Sequence, residues 1–204
     1  METIAERKDR QRQALIEAAE RAIAADGLAG LKARDLAREI GVALGAIYNL
    51  VEDLDELYLR VASRTLARLD ETLAAAGGGE GGGPDAATGR LVAIALAYRK
   101  FASDNLHLWR SLFEHRMAPG KPLPEWAMSD QMSLFRHILE PLVLLMPKSA
   151  PQDRLHMAQT LFSAVHGIVL LGLEEKFVGV PPDLLDAQIG AFVRTICAGL
   201  EAAP

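Results

Sequence analysis

One cysteine, Cys197, in a chain of 204 residues leaves no partner for an intramolecular disulfide and no ligand set for a cysteine-built zinc site. Aromatic residues are also scarce, at 5 %, and β-branched residues are scattered, which removes the alternating patterns a sheet protein needs. Positive charge is in deficit: 22 Lys and Arg stand against 27 Asp and Glu, a net charge of −5. Such a chain cannot coat nucleic acid indiscriminately, so any contact of that kind must come from a local patch. Long apolar runs are missing too. The first dozen residues, METIAERKDRQR, are charged throughout and lack the apolar core of a signal peptide. The longest apolar run, Ile168–Leu173 with its neighbours, is interrupted by His166 and closed by Glu174 and Glu175, short of a bilayer span. These absences lead to the expectation of a cytoplasmic protein with no membrane partner. No period recurs along the chain, which excludes a repeat array.

What the chain has is alanine and leucine, the composition of an all-α fold. A first helix is expected over about 7–26, with Leu15, Ala19, Ala22 and Ile23 on one side and Gly27 as its stop. Two short helices follow, beginning near Ala33 and Leu44. A fourth begins near Asp53, where Glu52, Asp53, Asp55 and Glu56 suit the positive end of a helix dipole. The segment GGGEGGGP, 77–84, reads as a flexible turn between packed helices, with a linker between independent domains as the alternative. Further helices are expected over 86–103, with Leu91, Ile94, Ala95, Tyr98 and Phe101 on one stripe, and over 104–117. Another spans 125–146, kinked or restarted around Pro141, and the last two cover 152–176 and 182–202. The division expected is a helix-turn-helix domain over 1–52 and a second helical domain over 53–204.

The stretch LAREIGVALGAIYNL, 36–50, carries the functional signal. Leu36, Ile40, Val42, Ile47 and Leu50 fall where two short helices each bury one face, Ala37 is small where they cross, and Gly41 supplies the tight turn. A second short helix presented in this way can enter a DNA major groove. Lys32 and Arg34 flank the start of the second helix, where exposed N–H groups and positive side chains favour a phosphate. Arg7, Lys8, Arg10 and Arg12 form a basic start that could sit on phosphates or only solvate a helix. Gly45 and Ala46 are small enough for close approach of backbone to duplex, and Leu44 could touch a thymine methyl. Tyr48 can bond a phosphate, and Asn49 a phosphate or an adenine edge.

Residues 12–57 resemble the N-terminal domain of TetR/AcrR-family transcriptional regulators. The matching features are Ala18–Ala19, Gly27, the tetrapeptide Arg34–Ala37, Gly41–Val42, Gly45 through Tyr48, and Glu56–Leu57. The pattern is departed from where Lys32 replaces a hydroxyl residue, Ala43 and Ala46 a serine and a threonine, Leu50–Val51 a histidine–phenylalanine pair, and Leu54 a lysine. LWRSLFEHR (108–116), PLPEW ending at Trp126, and FSAVHG (162–167) are similar to a subgroup with a tryptophan–histidine–glycine-type C-terminal domain, with Phe162 in place of tryptophan. The resemblance implies a homodimer in which the last two helices of each subunit form a four-helix bundle, placing two recognition helices about 34 Å apart on a palindromic operator. Leu161, Val165, Val169 and Gly172 share a face that permits this, as do Leu185, Ile189, Phe192 and Ile196. Core packing within the subunit competes for the same residues.

Trp109, Phe113, Trp126, Met132, Phe135, Phe162 and His166 gather bulky and polarizable side chains in the second half. They could line a pocket for an apolar or aromatic effector, or simply be core. The five histidines lack the spacing and acidic partners of a metal site, so neither metal nor cofactor is expected. His166 is expected to donate to a neighbouring carbonyl. No nucleophile–base pair or phosphate loop points to an enzyme. The function expected is a ligand-released, DNA-binding repressor, with a helical small-molecule carrier of little DNA affinity as the alternative.

Overall fold

The computed structural model of the protein describes residues 3–78, 81–176 and 178–201. Among them lie ten α-helices: α1 (Ile4–Asp26), α2 (Ala33–Glu39), α3 (Leu44–Ile47), α4 (Leu54–Gly77), α5 (Pro84–Asp104), α6 (Leu106–Glu114), α7 (Glu125–Ser133), α8 (Arg136–Leu145), α9 (Pro151–Leu173) and α10 (Leu185–Glu201). The chain forms two compact units. One holds residues 1–67 and 105–130, the other 68–104 and 131–204. This grouping does not follow the chain order expected from the sequence, because 105–130 joins the first unit.

In the first unit α1 starts at Ile4, three residues earlier than its apolar pattern suggests. A capping box accounts for this: the Thr3 Oγ1 accepts from the Glu6 N–H (3.2 Å) while the Glu6 carboxylate accepts from the Thr3 N–H (2.8 Å). Arg7 and Lys8 therefore stand on a formed helix. The core joins Leu15, Ala19 and Ile23 of α1 to Leu36 and Ala37 of α2, Ile47 of α3, and Leu57 and Val61 of α4. Between α2 and α3, Gly41 takes φ 72°, a conformation that favours glycine, and the Val42 N–H bonds the Ala37 carbonyl at 2.9 Å.

Three carboxylates of the acidic run 52–56 are engaged inside this unit, while Glu52 stays mostly exposed, 3.6 Å from Lys121. Asp53 accepts from the Glu56 N–H (2.8 Å), capping α4, and the Glu56 carboxylate reaches the Glu52 N–H (2.6 Å) and Arg60. Lys121 bonds Asp53 and holds its carboxyl below the usual carboxylate range. Asp55 accepts from the Ala118 N–H (3.1 Å), and His115 Nε2 lies 3.2 Å from its carboxylate, near enough for charge attraction but not aligned as a hydrogen bond. The His115 imidazole stacks on Tyr58 (centroids 3.9 Å apart), whose hydroxyl donates to the Ser111 carbonyl at 2.7 Å. Burial pushes the Tyr58 hydroxyl up to about 12. These contacts, with His107 on the Ala24 carbonyl (3.0 Å) and Ser63 on Asp130 (2.6 Å), attach 105–130 to the first unit.

In the second unit α5 packs against α8, α9 and α10. Its stripe Leu91, Ile94, Ala95, Tyr98 and Phe101 is buried. Arg136 and His137 at the start of α8 both bond Asp70, the latter at 2.9 Å. The expected break at Pro141 instead falls at Leu134–Phe135, and Pro141 lies buried within α8, removing one N–H from that helix. The glycine-rich segment joins α4 to α5, with Gly81 and Gly83 at φ 135° and 119°; residues 79 and 80 lie outside the described residues. The apolar run Ile168–Leu173 is the end of a 23-residue helix, α9. By length and composition alone that helix could cross a membrane, unlike the short run. Asp153, Arg154, His156 and His166 interrupt it, and α5, α8 and α10 pack on it.

The face expected to meet a second subunit is turned into the protomer. Leu161, Val165, Val169, Gly172, Leu185 and Ile189 are buried in the second unit's own core, and Phe192 and Ile196 are half-buried. Packing of α9 on α10 is the physical reason: a Cβ on Gly172 would fall 2.4 Å from the Leu185 side chain.

Two measurements follow from this packing. Gly172→Ala is expected to lower stability by about 1–3 kcal/mol through overpacking, read as a lower urea midpoint. An unchanged midpoint would refute the close approach. Burial, opposed by Asp55, holds the His115 imidazole below its ordinary value. The unfolded chain therefore binds the extra proton first, so stability present above about pH 6.5 is lost as pH falls toward the folded value. His115→Phe, which keeps a ring on Tyr58, should flatten part of that slope in unfolding curves taken between pH 7.5 and 5. An identical slope in both proteins would show that His115 is not the group titrating.

Candidate nucleic-acid interface and aromatic cluster

The helix-turn-helix presents its second element through one anchor. Ile47 is fully buried, Leu50 and Val51 are nearly so, and between them Tyr48 and Asn49 are exposed. The Arg12 Nε donates to the Leu50 carbonyl at 2.9 Å, tying α1 to the end of this segment. Arg12 also pairs with Asp9 (3.0 Å). It is thus occupied in holding the turn, which removes it from the basic start as a free phosphate contact.

Beside this tie lies an open concavity of about 840 Å³, walled by Arg7, Lys8, Gln11, Gly41, Val42, Ala46, Tyr48, Asn49 and Leu50. Two cations on α1 thereby meet the phenol and amide that follow α3. Of the seven residues expected at a DNA surface, Ala46, Tyr48 and Asn49 line this concavity. Lys32, Arg34, Leu44 and Gly45 are exposed outside it. Lys32 precedes α2, and no side-chain hydrogen bond caps that helix. Gly45 has no neighbour within 4 Å of where a Cβ would stand, so nothing within the chain requires glycine there. The contribution of Arg7, Lys8 and Gln11 to the same wall was hard to read from sequence. The charge of Arg7 and Lys8 is visible there, but the register of all three against Tyr48 depends on the crossing of α1 with the α3 turn.

The residues expected to line an effector pocket divide between the two units. Trp109, Phe113 and Trp126 belong to the first. Trp109 is fully buried and meets Phe113 edge-on at 5.7 Å, so it is spent in packing. Trp126 is exposed, with the Arg60 guanidinium 5.9 Å from its ring. Met132, Phe135, Phe162 and His166 belong to the second, where Met132 is exposed. The other three converge: Phe162 lies 5.7 Å from Phe135 and 5.7 Å from His166. Tyr98 joins them, edge-on to Phe162 at 5.8 Å, with its hydroxyl 2.8 Å from His166 Nδ1. His166 thus has a phenol at Nδ1, a partner its place in the sequence does not suggest. Burial holds His166 below its ordinary value, which favours the neutral ring, and a neutral Nδ1 can accept the Tyr98 proton. Tyr98 was legible only as one member of an apolar stripe, since nothing in the spacing relates it to a residue on α9.

Residues 91–196 match a family model described as tetracyclin repressor-like, C-terminal domain. No curated protein matches the chain. Among solved structures, a protein of unknown function from Rhodococcus sp. RHA1 is 26 % identical with a TM-score of 0.75, the match covering 94 % of this chain and 95 % of that one. A TetR-like transcriptional regulator from Rhodococcus sp. RHA1 is 18 % identical, with a TM-score of 0.62 over 93 % and 96 % of the two chains. A variant of TetR from Acinetobacter baumannii AYE, in complex with minocycline, is 19 % identical, with a TM-score of 0.61 over 92 % and 94 %. The last two likenesses speak for the fold alone. The family model spans more than half of the sequence, and the chain belongs to the TetR family of transcriptional regulators.

Proposed function

We propose that this chain is a repressor that binds a palindromic operator as a homodimer and leaves it when a small apolar or aromatic effector is bound. The observation that carries the reading is the concavity in which Arg7 and Lys8 meet Tyr48 and Asn49 on a protein that is otherwise net acidic. Phosphates are held by Arg7, Lys8, Lys32, Arg34 and Tyr48, while Leu44, Ala46 and Asn49 face base edges and Gly45 lets the backbone approach. A glycine inside a helix costs up to about 1 kcal/mol relative to alanine. With open space around Gly45, an external body offers a reason for that cost.

The effector in this reading contacts Phe135, Phe162 and His166, with Tyr98 beside them, and its polar group exchanges for the bond between Tyr98 and His166. Release requires that the effector bind the form unable to grip DNA more tightly than the form that grips it. The dimer seam uses the faces of α9 and α10 turned away from the core. Ser163, Gly167 and Leu171 recur at four-residue intervals there, and Phe192 and Ile196 are half-exposed. A Cβ at Gly167 would meet nothing in the protomer, so that position is open to a partner helix.

The test is footprinting and gel-shift measurement on DNA upstream of the chain's own gene. A protected palindrome is expected, with Tyr48→Ala and Asn49→Ala each weakening binding about tenfold. The double change Arg7→Ala with Lys8→Ala should reduce the salt slope by about two per protomer. Gly45→Ala should leave thermal stability unchanged or higher while weakening DNA binding. Protection of no sequence at any salt concentration would overturn the DNA-binding reading. A compound bound tightly with operator affinity unchanged would overturn the release mechanism.

A further inference from the structure

The segment placed to read bases is unusual in what its exposed face offers. Leu44 opens α3 with 43 % of its surface exposed, flanked by exposed Ala43 and Gly45 and half-buried Ala46. No side chain from residue 43 to 47 has a hydrogen-bond donor or acceptor. The first polar groups are Tyr48 and Asn49, on the wall shared with Arg7 and Lys8. Leu44 is thus a large apolar side chain left outside the core, next to a surface suited to phosphates.

In a major groove the base edges are polar at every pair, and the one apolar group is the thymine C5 methyl. Laid against any base edge, a leucine and alanines cover some donors and acceptors without bonding them, and against a G·C pair they gain no apolar partner in return. Laid against thymine methyls, the same side chains gain apolar burial. Asn49 adds to the same preference, because its amide pairs with adenine N6 and N7. Resting on the DNA-binding reading above, we propose that Leu44, with Ala43 and Ala46, makes this chain a reader of thymine methyls. The operator half-site facing α3 is then composed of A·T pairs recognised through apolar contact rather than side-chain hydrogen bonds.

The experiment begins with the full chain selecting duplexes from a randomised DNA library. Each thymine of the enriched duplex is then replaced by deoxyuridine, which removes the C5 methyl alone. Loss of one methyl contact should weaken binding about fourfold, and loss of the symmetric pair in a palindrome about fifteenfold. Leu44→Ala should weaken binding to the thymine duplex by a similar factor and be indifferent to the deoxyuridine change at those positions. Its salt slope should match that of the unsubstituted protein. Because Leu44 is exposed, the variant is expected to keep its unfolding midpoint, which is measured alongside.

Enrichment of a palindrome with G·C pairs at its contacted positions would overturn the proposal while leaving DNA binding intact. So would deoxyuridine losses that are equal in the protein and in Leu44→Ala, since those would report duplex stiffness rather than contact. Failure to enrich any sequence would overturn both this proposal and the reading on which it rests.

Discussion

Burial of Ile47 is the constraint on which the helix-turn-helix depends. A helix of four residues has too few internal hydrogen bonds to persist by itself, and α3 has no side-chain cap at its start. Ile47 is the one residue of α3 that reaches the core. It shares that core with Leu36 and Ala37 of α2 and Leu57 of α4, and the Arg12 bond to the Leu50 carbonyl secures the turn that follows. Since the inward position of α3 is fixed by Ile47, helical geometry turns Gly45 outward, Leu44 stays partly exposed at the helix start, and the turn leaves Tyr48 and Asn49 exposed. The exposed face is a consequence of the buried one.

The acidic run that follows has a second role in this arrangement. Four carboxylates beside the helix-turn-helix would make a concentrated patch of negative charge if left free. Asp53 and Glu56 instead satisfy backbone N–H groups before and within the first turn of α4, and Lys121, Arg60 and the Ala118 N–H take up charge or hydrogen-bonding capacity that remains. The same contacts recruit a segment from some sixty residues later into the first unit. In this way a helix N-terminus, anion-favouring by its dipole, organises the chain around it.

The second unit shows how one pattern can serve two ends. The stripes Leu161–Val165–Val169 and Leu185–Ile189 are apolar with helical period, a property shared by a subunit seam and by a core. In the protomer they pack α9 on α10, and Gly172 shows how closely the two helices meet. The opposite faces, where small and polar residues such as Ser163 and Gly167 stand beside Leu171, are what the protomer leaves available. The aromatic cluster is likewise assembled from three helices, with Tyr98 on α5, Phe135 just before α8, and Phe162 and His166 on α9.

The sequence by itself determined the helical class, the start of α2 and α3, the turn at Gly41 and the buried skeleton of the helix-turn-helix. Those features depend on local periodicity and on the conformational freedom of single residues, both written in a few neighbouring positions. Tertiary structure alone decided that 105–130 closes the first unit, that Arg12 holds a turn, that Tyr98 meets His166, and which face of α9 is spent inside the protomer. Each of these joins side chains far apart in the chain, where spacing carries no information. Hydrophobic periodicity says that a face will be buried; it does not say against what. That choice is made when all the helices compete for one another's surfaces.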